Sequence, residues 1–385
     1  MLRFWIVFWL LSVLVEPLLG QTETPTSITK LNDDYWASAK GAGLSGGASP
    51  LVSGMDAPYY NPAGIGGIHL SPKEAKKTAR YIGFPYVGVA IGEDSVDLQS
   101  EFSKTPNSTD GGPTTAAILD AHAGKRQFGR FSFVPGFVVS RFMFNYAYDY
   151  QVAAVAKDDD SGLIDAHQRI SSGPGMGFSA TDPDGIFYLG AYSAFLTREV
   201  IKADLTFSSV NNAETRSDTF DEHRKTYTGL DTNVGILWRV AKKAKPSFSL
   251  VARHAGDTKF EPSDASDEAV EVEQDVVVGF SASPQLGKWG FFNFVMEADK
   301  ITDEETAIEK KVRAGFELTI GALFGNNSGF GVRGGVNAAG GSYGFHANLG
   351  LVRIQASSFA EDIGVDNEKV IERRYVANIS VNVAH

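Results

Sequence analysis

The stretch RFMFNYAYDYQV, residues 141–152, decides how the rest of the chain is read. In an extended chain successive side chains point to opposite faces. Phe142, Phe144, Tyr146, Tyr148, Tyr150 and Val152 then share one face, and Arg141, Asn145, Asp149 and Gln151 share the other. A period of two with an unbroken aromatic face is the pattern of a β-strand with one apolar side. The segment before it puts Phe131, Phe133, Pro135, Phe137 and Val139 opposite Arg130, Ser132 and Ser140. Only Ser140 and Arg141 remain to turn the corner, which predicts a tight hairpin.

Outward from this hairpin the same alternation recurs from about residue 80 to the C-terminus. Val312, Ala314, Phe316, Leu318 and Ile320 oppose Lys311, Arg313, Glu317 and Thr319, and Tyr375, Ala377, Ile379, Val381 and Val383 oppose Asn378, Ser380 and Asn382. The segments fall near 81–91, 129–139, 141–152, 172–181, 185–197, 226–239, 246–257, 271–283, 289–300, 308–321, 329–338, 342–350, 351–360 and 372–384, about fourteen strands, the even number of a bacterial barrel. Alternation alone fits a soluble sandwich as well, with the aromatic face as core. The connections separate the two. Every second one is short, as at Ser140 to Arg141, Asp182 to Asp184 and Gly350 to Leu351, while the long polar ones at 92–128, 153–171, 198–225, 258–270 and 361–371 fall on the opposite side. That asymmetry belongs to outer-membrane barrels. The expected fold is therefore all-β, a transmembrane antiparallel β-barrel over 81–385, with aromatic residues toward lipid and polar residues toward the lumen.

Composition narrows the function. After residue 20 no apolar run reaches the roughly eighteen residues of a spanning helix. The net charge of −11 argues against capture of a nucleic-acid backbone. With no cysteine there are no disulfides, thiolate metal sites, cysteine nucleophiles or lipidated anchor. Residues 1–20 read as an export signal: Arg3, an apolar run from Phe4 to Val15 broken only by Ser12, and a cleavage region at Leu18 to Gly20. Outer-membrane localisation follows. The chain ends Asn382-Val383-Ala384-His385, without the terminal aromatic residue that many such barrels carry.

Residues 21–80 differ in kind. Gly41 to Gly67 is rich in glycine and small residues and has no alternation, yet it is too apolar for a disordered tail. Ser71, Pro72 and Glu74 form a capping pattern that predicts a short helix over 71–79. A fourteen-strand barrel is too wide to be filled by its own wall side chains, so this segment is expected to enter the lumen. Gly41-Ala42-Gly43-Leu44-Ser45-Gly46-Gly47-Ala48 followed by Met55-Asp56-Ala57-Pro58-Tyr59-Tyr60-Asn61-Pro62-Ala63-Gly64-Ile65 resembles the N-terminal region of the FadL-type family of outer-membrane transporters, whose relatives include PorV-like and conjugal-transfer TraF-like barrels. Gly229-Leu230-Asp231, Leu237-Trp238-Arg239, Val251-Ala252-Arg253-His254 with Gly256-Asp257, Ala314-Gly315-Phe316-Glu317 and Val332-Arg333-Gly334-Gly335-Val336-Asn337 look like later strands of the PorV and TraF-like branch. The resemblance implies a lumenal hatch at Asp56, Tyr60, Asn61, Pro62, Ala63 and Gly64. It also implies a hydrophobic small-molecule ligand, a fatty acid or hydrocarbon, or in the second branch a protein partner at the outer loops.

Arg141, Asp149, Asp231, Arg239, Glu297, Asp299, Lys311, Arg313 and Glu317 fall on the polar face by parity. Charges there must be paired or hydrated, and the mixture of signs favours salt-bridged contacts with an inserted plug over an ion-selective pore. Gly43-Leu44-Ser45-Gly46-Gly47 matches the nucleophile-elbow spacing, but no convincing strand precedes it, so Ser45 is read as structural. The seven histidines show no paired spacing for a metal, and Asp158-Asp159-Asp160 reads as a solvated loop. The expectation is a monomeric, non-enzymatic barrel without cofactor. Leu163-Ile164 and Leu205-Thr206-Phe207 are apolar islands in long loops, suited to either ligand entry or partner binding.

Overall fold

A computed structural model describes residues 31, 38–66, 80–104, 117–118, 121–157, 163–206, 213–240, 244–287, 290–304, 306–321, 328–364 and 369–384. The export signal over 1–20, the helix over 71–79 and the Asp158–Asp160 run lie outside them. No described helix is long and apolar enough to cross a membrane.

The described chain starts with two short helices, α1 (Ala39–Gly43) and α2 (Ala57–Tyr60), the second flanked by 3-10 turns at Gly54–Asp56 and Pro62–Gly64. Fourteen barrel strands follow. They are β1 (Arg80–Gly92), β2 (Arg126–Phe133 and Gly136–Val139), β3 (Phe142–Ala156), β4 (Leu163–Thr181), β5 (Phe187–Thr206), β6 (Arg224–Arg239) and β7 (Ser247–Arg253 and Thr258–Pro262). Then come β8 (Val270–Val272 and Asp275–Ala282), β9 (Gly290–Ala298), β10 (Val312–Gly321), β11 (Ser328–Asn337), β12 (Gly340–Leu349), β13 (Val352–Asp362) and β14 (Ile371–Ala384). Each pairs antiparallel with the next, and β1 pairs with β14, as in Tyr86 opposite Ser380 and Ile91 opposite Tyr375, which closes the barrel. Closure leaves no unpaired sheet edge, as a membrane-spanning sheet requires.

The faces sort as the alternation predicts. On β3 Phe142 is 54% exposed and Met143 fully buried, and Asn145, Ala147, Asp149 and Gln151 continue the inward row. Neighbouring outward rings touch across strands, Phe137 with Phe144 at 5.5 Å and Phe142 with Phe178 at 5.4 Å between centroids, forming a band suited to lipid. Arg141 corrects one expectation. Ser140 has φ 60° and opens the turn, β3 begins only at Phe142, and Arg141 is exposed in the turn rather than lumenal. Parity holds only inside a strand, and Arg141 precedes one. Lys311 likewise lies before its strand, at the end of a short helix over Ile308–Lys311, where it is buried and its Nζ donates to Asp303 O.

The loop side differs more. β4 and β5 run for 19 and 20 residues, well beyond the roughly 9–11 that a bilayer needs, and stand above the expected lipid boundary. The islands expected as loop tips are part of this extension: Ile164, Ala166, Ile201, Ala203 and Leu205 form one buried cluster with Ala156, against which Phe220 packs. Phe220 belongs to a helix over Ala213–Glu222, and a second loop helix over Glu93–Lys104 follows β1 directly.

Candidate functional site: the lumenal segment

Residues 38–66 lie inside the barrel, and their contacts reach strands on every side. Ser38 caps α1, its Oγ accepting from Gly41 N at 3.1 Å. Asn378 Oδ1 of β14 accepts from Ala39 N, and Ser357 Oγ of β13 donates to Ala39 O at 2.5 Å. Ser45 Oγ meets Ser342 Oγ of β12 at 2.6 Å. Ser49 N donates to Glu297 Oε2 of β9 at 2.8 Å, and its Oγ meets Ser249 Oγ of β7 at the same distance. Tyr86 Oη of β1 donates to Asp56 Oδ1 at 2.9 Å, and Gly66 N donates to Ser179 Oγ of β4 at 2.8 Å. Small hydroxyl residues on the wall thus answer backbone groups that the irregular segment cannot pair internally.

Tyr59 is held by a relay. Tyr192 Oη of β5 donates to Asn145 Oδ1 of β3 at 3.0 Å, Asn145 Nδ2 donates to Tyr59 Oη at 2.8 Å, and the two rings meet edge to face at 5.7 Å. Burial, with Tyr192 beside it, pushes the Tyr59 hydroxyl well above its ordinary pKa, so it stays neutral. These rings and Met55, Ala57 and Ile65 from the segment join wall residues such as Tyr86, Val138 and Met143 in the largest apolar cluster. Burial also lowers the pKa of Lys40, with Glu317 opposing the shift, and its Nζ donates to Leu51 O at 3.0 Å.

Asn61 lies at the closest approach of segment and wall. It is fully buried; its Oδ1 accepts from Ala63 N at 3.0 Å and its Nδ2 donates to Ile236 O of β6 at 3.3 Å. One amide therefore fixes the Pro62–Gly64 turn and ties it to the barrel. Asn233 Nδ2 adds a bond to Pro58 O at 3.0 Å. Two wall glycines permit this approach: a Cβ at Gly235 would lie 2.1 Å from Asn61 Oδ1, and one at Gly190 would lie 2.2 Å from Pro62 C and O. Asn61, Pro62, Ala63, Gly64 and Asp56 are buried together here, with Tyr60 half-buried.

The lumenal charges are paired mainly within the wall. Asp149 accepts from Arg130 Nε and Ser132 Oγ, both at 2.7 Å, and from Gln151 Nε2 at 2.8 Å. Glu317 accepts from Arg333 Nε at 2.7 Å and Asn293 Nδ2 at 2.9 Å. Arg313 pairs with Asp299, and Arg253 with Asp275 and Glu297. Arg239 is buried near the end of β6. Asp231 accepts from Thr258 Oγ1 and meets His254 Nδ1, both at 2.7 Å, clamping the two sides of the turn that interrupts β7. The Arg253-His254 and Gly256-Asp257 pattern is that turn, with positive φ at His254, Gly256 and Asp257. Of the residues expected to bind a plug ionically, Glu297 accepts from the backbone N–H of Ser49, Arg313 lies against Gly46, where a Cβ would come 2.2 Å from its Nη1, and Glu317 acts on Lys40.

Sequence reasoning missed Ser357, Ser342, Asn233 and Tyr192 as holders of the segment. Their inward parity was readable, but small polar residues on a lumenal face carry no mark of a partner. Ser45 follows a helix instead of ending a strand, so no nucleophile elbow forms. Among the described residues no group of three or more His, Cys, Asp or Glu is arranged to hold a metal.

No family model matches the chain, and no curated protein matches it in sequence. Among solved structures, the Pseudomonas putida toluene transporter TodX matches over 93% of this chain and 99% of its own, with TM-score 0.51 and 9% identity. The Ralstonia pickettii toluene transporter TbuX matches over 91% and 98%, with TM-score 0.44 and 10% identity. A Pseudomonas aeruginosa FadL homologue matches over 94% and 99%, with TM-score 0.43 and 10% identity. The chain is a closed antiparallel β-barrel of fourteen strands with the fold of the toluene transporter TodX, its N-terminal segment seated in the lumen.

Proposed function

We propose that this barrel takes up hydrophobic small molecules, fatty acids or hydrocarbons, through a lumen gated by the hatch at Asp56–Gly64. The observation that carries the reading is how the segment is held. It occupies the bore, yet it is fastened by separate hydrogen bonds, each worth only about 1 kcal/mol net. Between Asp56 and Gly64 four such bonds reach the wall, at Tyr86, Asn145, Asn233 and Ile236, so shifting this stretch alone costs less than unseating the whole segment, and a ligand with differential affinity for the shifted state can drive it. The likeness in fold to a toluene transporter supports the same class of cargo.

The wall offers a way out beside the hatch. Pro85 on β1, Pro135 between the halves of β2 and Pro174 on β4 lie at one level, since Gly83 pairs with Gly136, Tyr146 N donates to Pro135 O and Tyr146 pairs with Pro174. Each proline removes a ladder donor. The pairing of β1 with β14 shifts between Gly83 and Tyr86, and that of β4 with β5 skips Gly173 and Pro174. This seam lies beside the apolar cluster around Tyr59 and Met55. Release sideways into the membrane is the route it favours. Burial of Ile164 and Leu205 removes the exposed apolar loop tips that would have favoured a protein partner.

The test is binding of a panel of fatty acids and aromatic hydrocarbons to the detergent-solubilised barrel, with uptake into proteoliposomes, for wild type and Asn61→Ala. Saturable binding and uptake altered severalfold by the substitution are expected, as loss of a buried hydrogen bond worth about 1–3 kcal/mol implies. A folded barrel that neither binds nor transports any of the panel refutes the reading.

A further inference from the structure

The inner lining of the wall has a gap beside the proline seam. Gly83 on β1 pairs with Gly136 on β2, Gly136 with Asn145 on β3, and Asn145 with Gly175 on β4. Residues paired in this way share one face of the sheet, so three of the four positions at this level carry no side chain. Glycines in a strand mark a close approach, and here the approaching groups are known. A Cβ at Gly136 would lie 2.8 Å from Met55 Cε, and one at Gly175 would lie 2.2 Å from Tyr192 Oη and 2.5 Å from Asn145 Oδ1. The gap is filled from inside, by the tip of one methionine of the lumenal segment and by the Tyr192 ring. Phe137 and Phe144 on the same strands are exposed on the lipid side. One layer of backbone separates Met55 from the membrane.

The two fillers are held differently. Tyr192 and Tyr59 are tied through Asn145 by hydrogen bonds at 3.0 and 2.8 Å. The Met55 side chain is held by packing alone, and an unbranched thioether rotates and repacks readily. The Gly54–Asp56 turn that carries it is anchored at one end, where Asp56 accepts from Tyr86 Oη. At the other end Gly54 has φ 68°, Ser53 makes no side-chain capping bond, and Ser53 is exposed. The backbone outside Met55 is weak as well. Pro135 and Pro174, next in sequence to Gly136 and Gly175, lack ladder donors, and the pairing of β1 with β14 shifts between Gly83 and Tyr86.

We infer that Met55 is the stopper of the lateral exit and sets the class of hydrocarbon that leaves by it, namely unbranched alkyl chains. The inference rests on the uptake reading above and narrows its cargo. When the thioether withdraws, it leaves the outline of a straight chain, walled by Asn145 and the two tethered rings. A linear alkyl chain reproduces that outline. A caged or branched hydrocarbon needs a wider opening, which requires breaking the Asn145 bonds or the ladder bonds that remain here, Val134 N to Tyr86 O and Tyr146 N to Pro135 O.

The probes are n-decane and adamantane, equal in carbon number, one straight and one caged. The detergent-solubilised barrel is loaded with each, binding is measured, and transfer of the bound probe to phosphatidylcholine vesicles is timed, with heat-modifiable gel migration reporting folding. Wild type should release n-decane about tenfold faster than adamantane, the scale on which a shaped apolar passage discriminates. Met55→Ala should erase this preference by speeding adamantane, and Met55→Phe should slow both probes about tenfold. Equal release of the two from wild type, or the wild-type preference in both folded variants, overturns the role of Met55 and leaves uptake standing. Binding of n-decane without adamantane puts the selection in the lumen and overturns it too. A folded barrel that binds neither probe overturns this inference and the uptake reading together.

Discussion

At the residue scale the seating of the lumenal segment depends on the absence of two side chains. Gly235 and Gly190 let Asn61 and Pro62 lie against the wall, and a methyl group at Gly235 would overlap Asn61 Oδ1. Gly235→Ala is therefore expected to lift the Pro62–Gly64 turn from β6 while the strand itself persists, since alanine is only weakly disfavoured there. Liposome-swelling assays with small sugars should show permeation that wild type lacks; a variant as tight as wild type would mean the turn seals elsewhere. Asn61-Pro62-Ala63 drew attention through its resemblance to a known N-terminal segment in a glycine-rich setting; by itself the pair Asn61-Pro62 reads as a turn. Their wall partners were not legible, because Gly190 and Gly235 look like any small residue on a strand and reveal their role only when the chain opposite is in place. Arg141 shows the converse error: alternation extended one residue past its strand turns an exposed turn residue into a lumenal one.

At the element scale the period of two located every strand, because one face meets lipid and the other a packed lumen, so both faces are constrained. It failed above the membrane. In β4 the residues Leu163–Ser171 keep β-structure, but their outward Ile164 and Ala166 meet protein rather than lipid, and the pattern weakens into that of a polar loop. The two loop helices were missed for a similar reason, being short and polar. The proline seam makes a prediction at this scale. Pro135→Ala combined with Pro174→Ala restores two backbone donors to strands that lack them, and should raise the thermal midpoint and slow release of a preloaded hydrocarbon to lipid. Faster release from the doubly substituted barrel would show that the seam is not the exit. Hydrogen exchange at Tyr86, Val134 and Tyr146 reports the same change directly.

At the scale of the whole molecule, the barrel and its contents are separable in principle: wall charges pair across strands, as Asp149 with Arg130 and Glu317 with Arg333, although Lys40 of the segment also acts on Glu317. Deletion of residues 38–66 should accordingly leave an inserted, heat-modifiable barrel that conducts ions in planar bilayers, whereas a deletion that abolishes insertion would make the segment part of the folding core. The closure of β1 on β14 bears on how the native state is reached. The lumenal segment is synthesised before the wall, yet its Ala39 is held by Asn378 and Ser357, which are among the last residues to arrive. Contacts that span almost the full chain form late and slowly. The lumenal segment thus cannot be fully seated until the vessel around it is sewn shut, and a barrel caught short of its final strand would be a leak held open by its own unfinished assembly.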